Sequence, residues 1–344
     1  NIQLLVENMF KDKKGAVIVS KPKTGEILSY MSSPDYSPDL FTGMVSSNEW
    51  QSIVSDPDRP LLNRVANGMY PPGSIYKMVV AIELLEKKHI DEDWNVFCKG
   101  EYEFYDRVHK CWDQNGHGKV DVKSAISQSC DVFFYEAIQR VRLNDLEKRS
   151  KQFLHGIPTN IDLPSEMKGR VPTRNFMNKL YGRYGWSSGA MLNISIGQGE
   201  ILVTPIQMMA YTNLLATMGS TKNLHIVSKN NLNDIVVSSI SKKTWNIIHD
   251  SMFMVANDSK GTGKLSNPNI SGVKVYGKTG TAENPHGETH AWYIGFAKDE
   301  NDEMISVVVL VENGGGGGSV ASPIAGKIFK EYFNDINSKL TAAK

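Results

Sequence analysis

Residues Gly272-Val-Lys-Val-Tyr-Gly-Lys-Thr-Gly-Thr-Ala282 admit two folds. Letter for letter, Gly272 to Thr279 satisfies the nucleotide-loop pattern G-x-x-x-x-G-K-[ST]. That loop needs flexible backbone between its glycines and a helix straight after the lysine. Here Val273-Lys-Val-Tyr276 has strand character, and Gly280-Thr-Ala-Glu-Asn-Pro285 does not readily start a helix. The stretch therefore reads as a strand and turn at a sheet edge, and nucleotide binding is set aside. A free strand edge can pair with an extended peptide. Lys278 adds positive charge, the Thr279 and Thr281 hydroxyls suit a carboxylate, and Gly280 lets a substrate approach the backbone.

The neighbouring sequence supports a sheet. Ala291-Trp-Tyr-Ile-Gly-Phe296 and Ile305-Ser-Val-Val-Val-Leu-Val311 are further β-type runs, and Val320 to Phe333 reads as a closing helix. Trp292 and Tyr293 alternate as core strand residues do. Near the start, Gly15-Ala-Val-Ile-Val-Ser20 and Glu26-Ile-Leu-Ser-Tyr-Met31 flank a Pro/Gly turn and read as a hairpin. Ser32 to Asn67, polar and with four prolines, reads as a long surface connection. The middle is helical: from Ser74, with Met78, Ile82 and Leu85 at helical spacing; from Val120 to Val141, interrupted at Ser129-Cys-Asp131; and from Thr204-Pro205. Residues 94–120 read as irregular. Both chain ends would complete one sheet (approximately residues 10–70 and 240–340), with a mostly helical lobe inserted (approximately 75–235).

Bulk properties exclude several classes. The chain has 344 residues, 40% hydrophobic and 22% charged, ordinary for a globular protein with a sizeable core. A formal net charge of +1 favours neither nucleic acid nor an anionic membrane. No apolar run approaches the roughly 18 residues that span a bilayer. Asn1-Ile-Gln-Leu-Leu5 lacks the features of a signal peptide, and there is no initiator Met, which fits a piece of a longer protein.

Two further strings carry chemistry. A serine hydroxyl is a weak nucleophile at neutral pH and needs a base. In Ser74-Ile-Tyr-Lys77, residues i and i+3 share a helical face after the sharp entry Pro71-Pro-Gly73. A lysine among Val79, Val80 and Ile82 can accept the serine proton. In Ser129-Cys-Asp131, the serine can relay a proton to a leaving group and Asp131 can hydrogen-bond a substrate backbone. The backbone N–H groups of Ser74 and Thr281 would form an oxyanion hole. Each string alone is a common chance pattern or a plain helix cap; their order and contexts together give them weight.

In that order, the three strings resemble the penicillin-recognising serine acyltransferases. Asn67-Gly-Met-Tyr-Pro-Pro-Gly-Ser-Ile-Tyr-Lys77, Ser129-Cys-Asp-Val-Phe-Phe-Tyr135, Ile196-Gly-Gln-Gly199 and Thr204-Pro205 with Gln207-Met208 resemble class B penicillin-binding proteins. Cys111-Trp112 with Gly116-His-Gly118 resembles their elongation-type penicillin-binding protein 2 group. The resemblance runs from about Gly15 to Phe333. It implies the transpeptidase and serine β-lactamase-like α/β (α+β) fold: an antiparallel sheet flanked by helices plus a mostly helical lobe. It also implies a peptidoglycan D,D-transpeptidase that supports cell elongation and shape and is acylated by β-lactams. Ser74 would be the nucleophile, Lys77 the base, Ser129 the relay, and Lys278 with Thr279 and Thr281 the carboxylate clamp. Stem peptides, β-lactams, a glycosyltransferase and other elongation-complex proteins would be its partners, at the periplasmic face of the inner membrane. No cofactor is expected for catalysis, and the family's membrane anchor and pedestal are absent from this chain. Asp131 departs from the wider family, where Asn is commoner. A D,D-carboxypeptidase or β-lactamase-type hydrolase, or a non-catalytic β-lactam sensor, are the alternatives on the same fold.

The cysteines form a pattern of their own. Cys98, Cys111 and Cys130 lie within 33 residues around His117, spaced C-x12-C-x5-H-x12-C. A Cys3His set is a common structural zinc site. Some penicillin-binding protein 2 members resemble this, with zinc held by mixed Asp, His and Cys ligands. A Cys98–Cys111 disulfide, or three unbonded thiols, are the other readings. Gly314 to Gly318 reads either as a mobile loop beside the groove or as a plain flexible connection. His286 and His290 flank the turn after the third string and read as surface histidines.

Overall fold

The computed structural model describes residues 1–342 except 184, 187, 228–231 and 286, with side chains described for all of these but 188 and 337–342. Five antiparallel strands form the main sheet in the order β2-β1-β11-β10-β9. They are β1 (Gly15–Ser20), β2 (Ile27–Ser33), β9 (Lys274–Ala282), β10 (His290–Lys298) and β11 (Met304–Val311). Both chain ends therefore complete one sheet, as their alternating and β-branched runs predict. Every residue of β11 is buried, because helices cover both of its faces. Each such fully buried aliphatic side chain contributes about 1.5–3 kcal/mol.

Alternation sorts the sheet's side chains into two cores. On one face Val17, Val307, Val309 and Tyr293 pack against α1 (Ile2–Met9) and α11 (Ser322–Ala342). On the other, Ile18, Val308, Leu310 and Trp292 meet the helical part of the chain. That part comprises α3 (Lys77–Glu86), α4 (Val122–Ser127), α5 (Asp131–Ile138), α6 (Leu143–Gln152), α7 (Arg174–Tyr181), α8 (Ser188–Ser195), α9 (Pro205–Ala216) and α10 (Lys242–Asn257). The capping box at Thr204 and Gln207, with Pro205 at the first helical position, starts α9, whose residues are all buried against β1, β10 and β11. α10 packs on both β9 and α4, so it ties the third catalytic string to the second.

Three expectations change. The Lys278-Thr-Gly stretch is not a strand and turn: β9 runs unbroken to Ala282, and no helix follows Lys278. The connection from Ser32 to Asn67 contains a helix, α2 (Ser47–Val54), closed by a Ser46–Glu49 capping box but burying none of its residues. Its polarity concealed it, since local capping rather than core packing holds it. Residues 94–120 are not irregular. β3 (Val96–Cys98) pairs with β6 (Gly118–Val120), and β4 (Glu101–Phe104) with β5 (Arg107–Lys110). These strands of three or four residues are largely exposed, so they carry no readable alternation. A last small ribbon pairs β7 (Ser220–Lys222) with β8 (Asp234–Val236).

Candidate active site

A cleft of about 630 Å³ lies between the edge strand β9 and the helical part, and Ser74, Ser129, Asp131, Thr279, Gly280 and Thr281 all line it. Ser74 sits in a 3-10 turn, Gly73–Tyr76, that runs straight into α3 at Lys77. With three residues per turn, Ser74 and Lys77 eclipse one another. Gly73 has φ +58°, and a Cβ there would come 2.8 Å from the Thr281 carbonyl oxygen, so only glycine lets this turn lie against β9. The Thr281 carbonyl also accepts from Gln198 Nε2 at 3.5 Å. It therefore points off the sheet edge, and in a strand the N–H of the same residue points the same way.

Ser129 stands between two buried lysines. It occupies the break between α4 and α5 with φ +59°, a left-handed conformation that non-glycine residues adopt mainly where structure over-determines them. Lys278 Nζ donates to Ser129 Oγ at 2.8 Å and to the Thr279 carbonyl at 2.9 Å. Lys77 Nζ donates to the Ser129 carbonyl at 2.8 Å, to Asp131 Oδ1 at 2.7 Å and, more weakly, to Ser129 Oγ at 3.4 Å. Burial, reinforced by the nearby charge of Lys77, holds the Lys278 amine well below its ordinary pKa. Asp131 lines the cleft, and its carboxylate pairs with Lys77 and accepts the Trp112 N–H at 3.0 Å.

The four candidate metal ligands converge directly behind this centre. One ligand atom from each of Cys98, Cys111, His117 and Cys130 lies within 4.8 Å of the others. His117 Nδ1 is 3.5 Å from both Cys98 Sγ and Cys111 Sγ. A tetrahedral zinc with ordinary Zn–S and Zn–N bonds has an S···N edge of about 3.6 Å, so the donor set fits. All three thiols are buried and free, which disagrees with a Cys98–Cys111 disulfide. The three thiols share their hydrogen bonds: contact with Cys130 pulls the Cys98 and Cys111 thiols down, and the same contacts push the Cys130 thiol up. Cys130 lies inside the second string, and Cys111 Sγ accepts the Asp131 N–H at 3.4 Å. The cluster thus touches the residue that pairs with Lys77.

Residues 15–330 match the family described as the penicillin binding protein transpeptidase domain. The chain belongs to that family. Within it, the domain is of the class B penicillin-binding protein 2 type. It is 31% identical to Pseudomonas aeruginosa PBP2 solved in complex with WCK 5153, covering 96% of this chain and 73% of that one, with a TM-score of 0.86. It is 32% identical to PBP2 in a complex with MreC from Helicobacter pylori, covering 96% and 63%, with a TM-score of 0.87. It is 29% identical to the peptidoglycan D,D-transpeptidase MrdA of Haemophilus influenzae, over 97% of this chain and 55% of that protein. The chain thus spans about half the length of the curated relative it matches.

This penicillin-binding protein domain also uses residues that sequence reasoning missed. Thr262 Oγ1 shares a hydrogen bond of 2.7 Å with Thr279 Oγ1 and lines the cleft. Its only signal was a Gly-Thr-Gly string, Gly261 to Gly263. Trp112, Tyr135, Gln198 and Glu283 line the cleft too. The glycine run lies beside the groove, as one of its two readings has it: Gly316, Gly317 and Gly318 line the cleft. Gly317 is buried, donates to Thr281 Oγ1 at 3.3 Å, and would place a Cβ 2.3 Å from the Gly280 and Trp292 carbonyl oxygens. His290 packs edge-on to Tyr70 and accepts the Asn313 N–H at 3.1 Å, a structural role; His286 lies outside the described residues.

Proposed function

We propose that this chain is the transpeptidase domain of an enzyme that cross-links peptidoglycan stem peptides through an ester on Ser74. The observation that carries this is Ser129 Oγ, bonded to Lys278 and within reach of Lys77, in the same cleft as Ser74. Lys77, one turn from Ser74, takes the Oγ proton as Oγ attacks the carbonyl between the two terminal D-alanines. The Ser74 and Thr281 N–H groups stabilise the oxyanion. Lys278, Thr279 and Thr281 hold the terminal carboxylate. The C–N bond then breaks, and the departing amine receives a proton relayed through Ser129. In the second half, an amine of a neighbouring stem attacks the ester, a new C–N bond forms, the C–O bond breaks and Ser74 Oγ regains its proton. A β-lactam opens on Ser74 by the first half alone.

Cys98, Cys111, His117 and Cys130 would hold zinc as a rigid node behind the Ser129 loop, without a part in the chemistry. Elemental analysis that finds no metal in purified protein, with all three thiols reactive without denaturant, would remove this. No described helix is long and apolar enough to cross a membrane. Chemistry on stem peptides would put the domain at the periplasmic face of the inner membrane. Partnership with elongation-complex proteins draws support from the Helicobacter pylori relative solved with MreC.

The test is covalent labelling by a fluorescent penicillin. Wild-type protein should form a long-lived adduct on Ser74, and Ser74→Ala should form none. Labelling of Ser74→Ala at the normal rate sinks the nucleophile assignment, and rapid turnover of the wild-type adduct points to a hydrolase instead.

A further inference from the structure

The catalytic cleft has a neighbouring cavity. A cavity of about 390 Å³ opens between the β4–β5 hairpin and the segment joining α7 to α8. Phe104 and Tyr105 line it from the hairpin, Tyr181 and Trp186 from the opposite side, with Arg107 and Asn193 adding polar groups. It adjoins the catalytic cleft at two places. His109 lines the cavity and its neighbour Lys110 lines the cleft, while Asn193 lines the cavity and Ile196, one helical turn on, lines the cleft. Tyr105 at the hairpin tip is 86% exposed, with the Phe104 ring edge-on at 4.7 Å. A large aromatic side chain held out in water beside a cleft is a contact surface rather than a core element.

We propose that this cavity is the subsite for the acceptor stem peptide, the second substrate, whose amine attacks the Ser74 ester. The proposal rests on the transpeptidase reading above. Such an enzyme holds two peptides at once. The donor occupies the free edge of β9, its carboxylate at Lys278 and Thr279. The side left open is the one bounded by Lys110, Tyr135 and Ile196, and the cavity adjoins that side. Charge agrees with this occupant. Stem peptides carry both free carboxylates and a free amine; Arg107 and Asp106 line the cavity and Lys110 the cleft beside it, and Arg107 and Lys110 are exposed with no ion-pair partner among the described residues. The aromatic rings supply apolar contact for the aliphatic parts of the peptide. The wall is also anchored where it must resist pressure. Cys98 precedes β4, Cys111 follows β5, and the Cys111 N–H donates to the Gly100 carbonyl at 2.8 Å, so the cysteine cluster grips both feet of the hairpin.

The experiment compares two acceptors with the full-length protein: a disaccharide tripeptide, which reaches the cavity, and free D-lysine, which is too small to do so. Tyr105→Ala and Arg107→Ala should each raise KM for the disaccharide tripeptide about tenfold, and Arg107→Lys should recover most of that loss. KM for D-lysine should change by less than about twofold in the same variants. The rate of acylation by benzylpenicillin, which reports the Ser74 centre, confirms that each variant is folded. Equal weakening of both acceptors, or no change for either, overturns the subsite. Wild-type protein that is acylated but transfers to neither acceptor overturns the transpeptidase reading, and the subsite with it.

Discussion

One wall of the cleft is strand β9; the other is the segment from Val96 to Val120 with the Ser129 loop behind it. β9 is held by its ladder to β10 and by buried neighbours on both faces, such as Val275 and Trp292. The opposite wall has four short, mostly exposed strands, and its buried residues include the cysteines themselves. Hydrophobic burial is distributed and tolerates loss at single positions. With zinc bound as proposed, the cysteine–histidine cluster would concentrate the same task in four side chains, and removing one would remove the node. The two walls meet at Ser129, which takes a hydrogen bond from Lys278 of the first while its neighbour Cys130 belongs to the second.

This contrast breaks most visibly at Lys278. Lys278→Met should slow acylation by benzylpenicillin about a thousandfold, because the relay and the carboxylate clamp go together. It should also stabilise the fold at neutral pH. Burial lowers the Lys278 pKa, so the unfolded chain binds more protons than the folded one and parental stability rises with pH. The thermal-melt advantage of the variant should therefore be largest near pH 7 and narrow towards about pH 9. An advantage that grows with pH would refute this account.

The other wall should fail differently. Cys111→Ser, or metal removal by a chelator, should slow acylation about 10- to 100-fold. Amide exchange should then quicken across residues 94–131 and stay unchanged in β9, β10 and β11. Exchange that quickens uniformly would show that the walls are not independent. The smallest effect is expected at Thr262. Thr262→Val leaves Thr279 Oγ1 without its 2.7 Å partner and should weaken carboxylate binding by about 1 kcal/mol, roughly fivefold in KM with little change in melting temperature.

Legibility followed the same division. The sheet could be read because Ala291–Phe296 and Ile305–Val311 carry dense, β-rich apolar runs that only a buried strand explains. The strand reading of Val273–Tyr276 was enough to reject a nucleotide loop, although it placed the turn too early. α2 and the strands between Val96 and Val120 were missed because they bury little, and pattern reading detects burial. The cysteine–histidine set was legible from residue type and spacing, which are chemical rather than hydrophobic signals. Thr262 was not, since a lone Gly-Thr-Gly string is uninformative without its partner across the cleft.

By itself the sequence determined which side chains were present for the chemistry: a serine with a lysine one turn on, a second serine, a second lysine on a strand, and four soft ligands. Local propensity, turn residues and spacing determine such things, and they act over a few residues. Only the tertiary structure decided who meets whom. It set Lys278 against Ser129 across 149 residues, paired Asp131 with Lys77, and pressed Gly317 onto β9. Those distances come from two packed cores and one ligand cluster closing together, and no short stretch of chain contains the information for them.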